Sequence, residues 1–279
     1  MTDMDIRSRA LENGRPTLSV RDLTVDFPKR SGSFRAVDGV SLDVWPGEIV
    51  GVIGESGSGK TMTALSTLRM LPKRAVVSGS IELGPRRILD LSPAEMRKLR
   101  GDRLSFIPQD AMRALNPTMR IGRQVGEPLV LHRNLSFKAA VSRAVDLLRA
   151  VHVREPERRV EDYPHGFSGG MQQRAMIAMG LALEPELIIA DEPTTALDVT
   201  VQAQVLKLLK EIRDREKTSI LFITHDLGVV AELCDWVYVM YRGKIVEQGS
   251  VERIFTEPRE DYTKMLLAST PTLFPKVAS

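Results

Sequence analysis

Residues 54–61 read Gly-Glu-Ser-Gly-Ser-Gly-Lys-Thr, and they lie between an apolar run and a helix-prone run. The preceding residues, Glu48–Ile53, are typical of a buried parallel strand, and Met62–Leu71 predicts a helix that stops before Pro72. A glycine-rich loop at a helix N-terminus turns several backbone N–H groups toward one point, where the helix dipole adds positive charge. The stretch therefore predicts a phosphate-binding loop rather than a flexible loop before an ordinary helix. Its candidate nucleotide-binding residues are Gly54, Glu55, Ser56, Gly57, Ser58, Gly59, Lys60 and Thr61.

A second motif supplies carboxylates. Residues 187–193 read Leu-Ile-Ile-Ala-Asp-Glu-Pro, so an apolar strand ends in Asp191 and Glu192, at the strand end where parallel α/β sheets bind ligands. We expect Lys60 to reach the β- and γ-phosphates of a nucleotide, and Thr61 and Asp191 to hold Mg²⁺. Glu192 is the candidate general base for an attacking water. The alternative interpretation of residues 187–193 is a strand that ends in a solvated acidic turn. The phosphate loop in the same chain makes this interpretation a minor one.

A third motif, Phe-Ser-Gly-Gly-Met-Gln at residues 167–172, precedes a predicted helix over Gln173–Leu183. Ser168 can cap this helix, and Gly169 and Gly170 allow close approach to the backbone. The motif predicts a second anion-binding helix N-terminus. An ordinary helix start after a loop is the alternative.

Composition narrows the classes of protein. The chain has 279 residues, of which 43% are hydrophobic, and a net charge of +3, so its mixed charges do not favour nucleic-acid binding. Cys234 is the only cysteine, which suits a reducing compartment. No apolar stretch reaches the length of a membrane span, and residues 1–16 lack the apolar core of a signal peptide. We predict that residues 1–16 form a disordered lead.

The pattern along the chain alternates between strands and helices. Partial apolar alternation predicts early strands joined by a turn at Ser31–Ser33, and helical periodicity dominates about residues 111–182. Ser92–Glu95 has the spacing of a helix capping box. The predicted strands are Leu18–Phe27, Val37–Val44, Ile81–Leu83, Leu104–Ile107, Leu187–Ala190, Ile220–Thr224, Trp236–Tyr241 and Lys244–Glu247, the last two joined in a hairpin at Arg242–Gly243, and the later predicted helices are Val199–Arg215 and Tyr262–Ala268.

These motifs, together with Gln109, Ala196-Leu-Asp198 and His225, stand in an order that resembles the ATP-binding subunits of ABC transporters. The resemblance runs from about Leu18 to Pro271. It implies an α/β fold: a P-loop NTPase core with a parallel sheet, an N-terminal antiparallel β subdomain and an inserted α-helical subdomain. The implied ABC ATPase domain is 17–250, with the helical subdomain at about 111–182 and a family-specific C-terminal tail over 251–279.

The resemblance also implies residue roles. Gln109 would contact Mg²⁺ and the attacking water, and His225 would contact the γ-phosphate. The signature residues Ser168, Gly169 and Gly170 would contact ATP held by a partner subunit, and Asp198 would lie in a loop that crosses the dimer interface. Phe27, where tyrosine is commoner in the family, would stack on adenine.

Within the superfamily, the importers of peptides, nickel and related solutes are the most similar group. Residues 109–117 and 163–170 resemble that group's Gln-Asp-Pro-x-x-Ser-Leu-Asn-Pro and Tyr-Pro-His-Gln-Phe-Ser-Gly-Gly, although Gly166 replaces a polar residue. Many members carry a cysteine-rich segment in the tail that this sequence lacks, so we expect no iron–sulfur cluster.

The implied protein hydrolyses ATP to power import of a solute, with di- or oligopeptides favoured and nickel, opines or oligosaccharides left open. Its expected partners are two membrane permease subunits, a second ATPase subunit that is identical or paralogous, and indirectly an extracytoplasmic solute-binding protein. It would lie on the cytoplasmic face of the membrane. A soluble ABC ATPase acting on nucleic acid or ribosomes, and a non-catalytic nucleotide-binding regulator, are the alternatives.

Overall fold

The structure is a computed structural model that describes residues 14–195 and 197–269, with Met112 described by its backbone alone. Most of the predicted lead and the last residues of the tail lie outside the described residues. Two compact units are present: the described residues up to Asp90 together with those from Ser219 onward form the first, and Leu91–Thr218 form the second. The predicted α/β fold class is confirmed, whereas the predicted domain boundaries stay a prediction.

The first unit contains an antiparallel sheet in the strand order β2-β1-β4-β5. The register pairs Lys29 with Gly32, so the first hairpin turns at Arg30 and Ser31 rather than at the predicted Ser31–Ser33. The apolar side chains of Leu18, Val20, Leu23 and Val25 in β1 are buried, and a register shift between Val20 and Leu23 moves the alternation by one residue. The strands are β1 (Leu18–Lys29), β2 (Gly32–Val44), β4 (Val76–Leu83) and β5 (Arg86–Arg87).

A second set of strands in this unit carries the phosphate loop. They are β3 (Ile49–Ile53), β8 (Ser219–Ile223), β9 (Trp236–Tyr241) and β10 (Lys244–Ser250), in the order β10-β9-β3-β8. Strand β3 is parallel to both neighbours, and all of its residues are buried, as its apolar sequence predicts. The hairpin between β9 and β10 turns at Arg242 and Gly243, which confirms the prediction. Both turn residues have positive φ, 46° and 84°, as a tight hairpin turn requires.

Four helices belong to the described residues of the first unit. They are α1 (Lys60–Thr67), α9 (Leu227–Leu233), α10 (Val251–Thr256) and α11 (Asp261–Ala268). Helix α1 begins before the predicted Met62, because Gly59 is its N-cap and Lys60 and Thr61 of the loop motif are already helical. It ends before Arg69, whose φ of 49° is left-handed.

The second unit combines one parallel strand pair with helices. Strands β6 (Leu104–Ile107) and β7 (Leu187–Asp191) pair in parallel. Helix α2 (Pro93–Asp102) starts with the predicted capping box, in which Ser92 accepts from the Glu95 N–H and the Glu95 carboxylate accepts from the Ser92 N–H. The predicted helical character of about residues 111–182 is confirmed. The other helices are α3 (Ala111–Ala114), α4 (Ile121–Arg133), α5 (Phe137–Ala150), α6 (Pro156–Arg159), α7 (Gly169–Leu181) and α8 (Val199–Glu216).

Candidate functional site

The loop between β3 and α1 has a backbone that only glycine can supply at two positions. Gly54 has φ 148°, and a Cβ there would lie 2.0 Å from the Met240 carbonyl oxygen. Gly59 has φ 106°, and its Cβ would lie 2.6 Å from the Ala36 carbonyl oxygen. Gly59 also occupies the N-cap position of α1. The glycine spacing of the sequence is therefore required by backbone conformation and by close packing.

The side chain of Lys60 spans the loop from its helix end to its strand end. The Nζ atom donates to the carbonyl oxygens of Gly54 at 2.7 Å and Glu55 at 2.8 Å, although the side chain is only 5% exposed. The hydroxyl of Ser58 lies 3.4 Å from the same nitrogen. The ammonium is thus fixed within the loop, where it is placed to meet an anion.

The β9–β10 hairpin is hydrogen-bonded to the phosphate loop. The Gly243 N–H donates to the Ser58 carbonyl oxygen at 2.9 Å, and the Gly243 carbonyl oxygen accepts from the Asp38 N–H at 2.8 Å. The sequence predicted the hairpin but gave no sign of this contact. Gly243 therefore joins strand β2, the hairpin and the phosphate loop at one point.

His225 lies at the same sheet edge as the loop. Val52 pairs with Ile223 across β3 and β8, and the Thr224 N–H donates to the Val52 carbonyl oxygen at 3.2 Å. The carboxyl ends of these parallel strands therefore lead side by side into Gly54 and His225. His225 is exposed, and Asp226 next to it caps helix α9 by accepting from the Gly228 N–H at 2.8 Å.

Phe27 is half-buried in β1, opposite Phe34 of β2. The Arg74 guanidinium carbon lies 5.9 Å from the centre of the Phe27 ring. Strand β2 continues from Phe34 to Ala36, whose carbonyl oxygen faces Gly59 in the loop. Strand β2 therefore pairs with Phe27 through Phe34 and contacts the phosphate loop through Ala36.

In the second unit, Glu192 has an unusual backbone and a fixed carboxylate. Its φ of 47° is left-handed, which costs on the order of 1 kcal/mol for a residue with a Cβ. One carboxylate oxygen accepts from the Gln109 Nε2 at 2.9 Å and from the Thr195 hydroxyl at 3.1 Å. Ile107 pairs with Ala190, so the ends of β6 and β7 carry Gln109 and Glu192 to the same place. This contact between Gln109 and Glu192 was not predicted from the sequence.

Asp191 ends strand β7 and is only 7% exposed. Asp191 therefore lies at the carboxyl end of the strand, which is the edge at which parallel α/β sheets bind ligands. The carboxylate of Asp191 and the side-chain oxygen of Gln109 are hard donors of the kind that Mg²⁺ prefers, and their role as metal ligands stays a prediction.

The signature motif is a capped helix N-terminus. The Ser168 hydroxyl accepts from the Met171 N–H at 3.4 Å, so helix α7 begins at Gly169, four residues before the predicted start. Ser168 and Gly169 are exposed, and a Cβ on Gly169 would enter open space. A Cβ on Gly170, in contrast, would lie 2.4 Å from a methyl carbon of Val201 in α8. The two glycines therefore have different roles: Gly169 keeps a surface open, and Gly170 permits helix packing.

Two buried polar side chains that sequence reasoning missed hold the signature helix in place. The Gln172 Nε2 donates to the carbonyl oxygens of Pro164 at 2.8 Å and Phe167 at 3.3 Å. Arg174 donates to the Val151 carbonyl oxygen at 2.7 Å and to the Gln204 side chain at 2.8 Å. Burial lowers the pKa of Arg174 from its usual value, against the opposing effect of Glu211. The available signal was a polar residue directly before the predicted helix, Gln172, and an arginine within it, Arg174.

Asp198 is the N-cap of α8, where its carboxylate accepts from the Val201 N–H at 2.9 Å. Ala196, which precedes it in the motif, lies outside the described residues. Because Val201 also contacts Gly170, the capped starts of α7 and α8 are neighbours in the second unit. Asp198 therefore has a local structural role, and its interface role stays a prediction.

The contrast between the two glycines predicts a difference in stability. We expect Gly170→Ala to lower the free energy of unfolding by about 1–3 kcal/mol, because Val201 or its helix must move. Gly169→Ala is the matched control and should leave stability unchanged or slightly raised, since alanine favours helix. Urea unfolding of both variants measures the difference. Equal stabilities would contradict the tight contact.

These features define a class of protein. They are an α/β ATPase-type core with a phosphate-binding loop, the carboxylates Asp191 and Glu192 at the end of β7, and the capped N-terminus of α7. A family model described as ABC transporter matches residues 37–195. The chain belongs to the ABC transporter family. As a member of that family it binds nucleotide, and its hydrolysis of ATP is coupled to transport.

Individual relatives agree with this assignment. The chain is 51% identical over 256 residues to the probable peptide ABC transporter ATP-binding protein y4tR of Sinorhizobium fredii, covering 91% of this chain and 76% of the relative. It is 49% identical over 258 residues to the oligopeptide transport ATP-binding protein OppD of Bacillus subtilis, covering 92% and 72%.

A solved structure is also similar. The dimeric post-hydrolysis structure of the ATP-binding cassette MJ0796, bound to ADP and Pi, has a TM-score of 0.74 at 27% identity and covers 84% of this chain and 98% of that one. Among the described residues, no helix combines the length and apolar character that crossing a bilayer requires.

Proposed function

We propose that this protein is the ATP-hydrolysing subunit of a membrane importer for dipeptides or oligopeptides. The observation that carries the ATPase assignment is the phosphate loop, in which glycine geometry and the buried Lys60 ammonium form an anion site. The peptide assignment is supported by the relatives at about half identity, whose names refer to peptide and oligopeptide transport.

Each candidate residue has a proposed role in this reaction. The loop from Gly54 to Thr61 binds the triphosphate through backbone N–H groups and Lys60. Glu192 accepts the proton of the attacking water as general base, while Gln109 orients that water and His225 contacts the γ-phosphate. Phe27 stacks on adenine.

The oxygen ligands Thr61, Asp191 and Gln109 would hold Mg²⁺. When bound, the ion neutralises phosphate charge during transfer. The hydrogen bonds from Gln109 and Thr195 keep the Glu192 carboxylate in one orientation, which favours its action as a base.

Two ATPase subunits would face each other head to tail. The signature residues Ser168, Gly169 and Gly170 of one subunit, of which the first two are exposed, would contact the γ-phosphate of ATP held by its mate, with Asp198 in the interface loop. The open space above Gly169 supports this proposal, because a phosphate can approach the backbone there. Hydrolysis would then weaken the interface and move the permease subunits.

The proposed assembly contains two permease subunits and a second ATPase subunit, and a solute-binding protein acts outside the membrane. The chain would lie on the cytoplasmic face as a peripheral subunit. We propose Mg²⁺ as its metal, with no iron–sulfur cluster and no nucleic-acid partner. A nickel, opine or oligosaccharide importer is the second candidate, because the related group includes such solutes.

Reconstitution tests this function. The chain should be expressed with the two permease subunits of its transporter and placed in proteoliposomes with the matching binding protein. We expect ATP hydrolysis to rise several-fold with peptide-loaded binding protein, because solute delivery drives closure of the ATPase dimer. Nickel and an oligosaccharide serve as comparison solutes. Stimulation by either of them, and not by peptide, would overturn the peptide assignment, and absence of hydrolysis in every case would overturn the ATPase assignment.

A further inference from the structure

The C-terminal segment reaches back to the phosphate loop through one side chain. The Tyr262 hydroxyl accepts a hydrogen bond from the Glu55 backbone N–H at 3.0 Å, although the two residues are 207 positions apart. The Tyr262 ring stacks on Tyr241 with 4.1 Å between ring centres. Tyr241 ends strand β9, next to the turn that supports the loop. A residue of helix α11 therefore contacts the loop and its support together.

A buried carboxylate anchors the segment that carries Tyr262. Glu247 of β10 is only 7% exposed and accepts from the Arg259 N–H at 2.9 Å and the Glu260 N–H at 3.1 Å. Burial by itself would raise the pKa of Glu247, but the hydrogen bonds it accepts from the segment outweigh burial and lower the pKa. The carboxylate is therefore ionised and fixes the backbone directly before α11.

Glu55 is held from two sides. Its carbonyl oxygen accepts from the Lys60 Nζ at 2.8 Å and from the Ser58 N–H at 3.1 Å, while its own N–H donates to Tyr262. The Glu55 peptide groups orient the entry to the phosphate loop and the lysine within it. Burial raises the pKa of the Tyr262 hydroxyl, so the group stays neutral.

We propose that Tyr262 is a positioning residue for the phosphate loop, so that the C-terminal segment from Glu247 to Ala268 forms part of the nucleotide-binding apparatus. This inference rests on the proposed ATPase function and gives the tail a role in that same site. The hydroxyl fixes the Glu55 peptide, and through Glu55 it fixes the position of the Lys60 ammonium. Tyr262 would act through the Glu55 peptide and Lys60 rather than on the nucleotide itself.

Tyr262→Phe tests the proposal, because it removes the hydroxyl and keeps the ring that stacks on Tyr241. We expect the Kd for Mg-ATP and the KM to rise about fivefold, as for the loss of one hydrogen bond, with kcat changed by less than about twofold. The Glu55 amide, followed by NMR hydrogen exchange in the full chain without nucleotide, should exchange at least about fivefold faster. A merely structural role for the tail would lower the melting temperature without this local change in exchange.

Two further variants complete the design. Glu247→Gln alters the anchor without touching the loop, and it should speed exchange of the Glu55 amide in the same direction. Lys264 lies on the same helix as Tyr262, and its side chain is 52% exposed. The control variant Lys264→Ala should therefore behave as wild type. Unchanged ATP affinity and unchanged Glu55 exchange in Tyr262→Phe, with wild type binding ATP normally, would overturn the positioning role. Failure of wild type itself to bind ATP would instead overturn the proposed function.

Discussion

Replacing Glu192 by glutamine is expected to lower steady-state ATP hydrolysis by about 10²–10⁴-fold while leaving ATP binding intact. Glutamine keeps the size of the side chain and an oxygen that can accept from Gln109 and Thr195, but it cannot take a proton from water. Because the nucleotide is then bound and not cleaved, the variant should accumulate as an ATP-bound dimer. Phosphate release and size-exclusion chromatography with Mg-ATP measure the two effects.

Glu184→Gln is a matched control for this variant. Glu184 is an exposed glutamate of the same unit with a left-handed φ of 54°, so the change of residue and backbone conformation is equivalent. We expect wild-type hydrolysis and no trapped dimer. Hydrolysis by Glu192→Gln at the rate of this control would show that another group acts as the base.

Replacing Lys60 by alanine is expected to weaken Mg-ATP binding by at least about 100-fold. The ammonium would make charge-assisted hydrogen bonds to the β- and γ-phosphates, each contributing about 1.5–3 kcal/mol. The variant also removes the bonds to the Gly54 and Glu55 carbonyl oxygens, so the loop loses its internal support. Titration with a fluorescent ATP analogue measures the affinity.

Lys73→Ala provides the comparison, since Lys73 is an exposed lysine of the same unit. It should bind ATP as wild type does. Circular dichroism should show that both variants are folded, because Lys60 lies at the first position of α1 and its loss affects one end of a helix. ATP affinity within twofold of wild type in a folded Lys60→Ala would contradict the role of the loop.

Features set by neighbouring residues were predictable from the sequence. The capping box at Ser92 and Glu95, the turn at Arg242–Gly243 and the strand before Gly54 each depend on a few consecutive residues, and the structure contains all of them. Ser168 was also predicted to be an N-cap. The helix starts at Gly169, earlier than predicted, because the residue that follows an N-cap is the first residue of the helix. The carboxylates at the end of β7 followed from the apolar run before them.

Features set by distant residues were not predictable in the same way. The contact of Gln109 with Glu192 joins residues 83 positions apart, and that of Gly243 with Ser58 depends on the register of a sheet. The left-handed backbone of Glu192 had no local signal, because a following proline such as Pro193 favours an extended conformation at the residue before it. The length of β4 was underestimated, since polar residues in Val76–Leu83 are paired with β1 and tolerate exposure.

The strand that leads into the phosphate loop also determines when the loop can form during synthesis. Strand β3 pairs with β8 and β9, and the Ile49 N–H donates to the carboxylate of Asp235, 186 positions later. On the ribosome, the loop sequence is therefore made long before the partners that fix its geometry. The loop can become ordered only after this very long chain segment has been closed, so a nascent subunit gains its capacity for nucleotide only once β8 and β9 have been made.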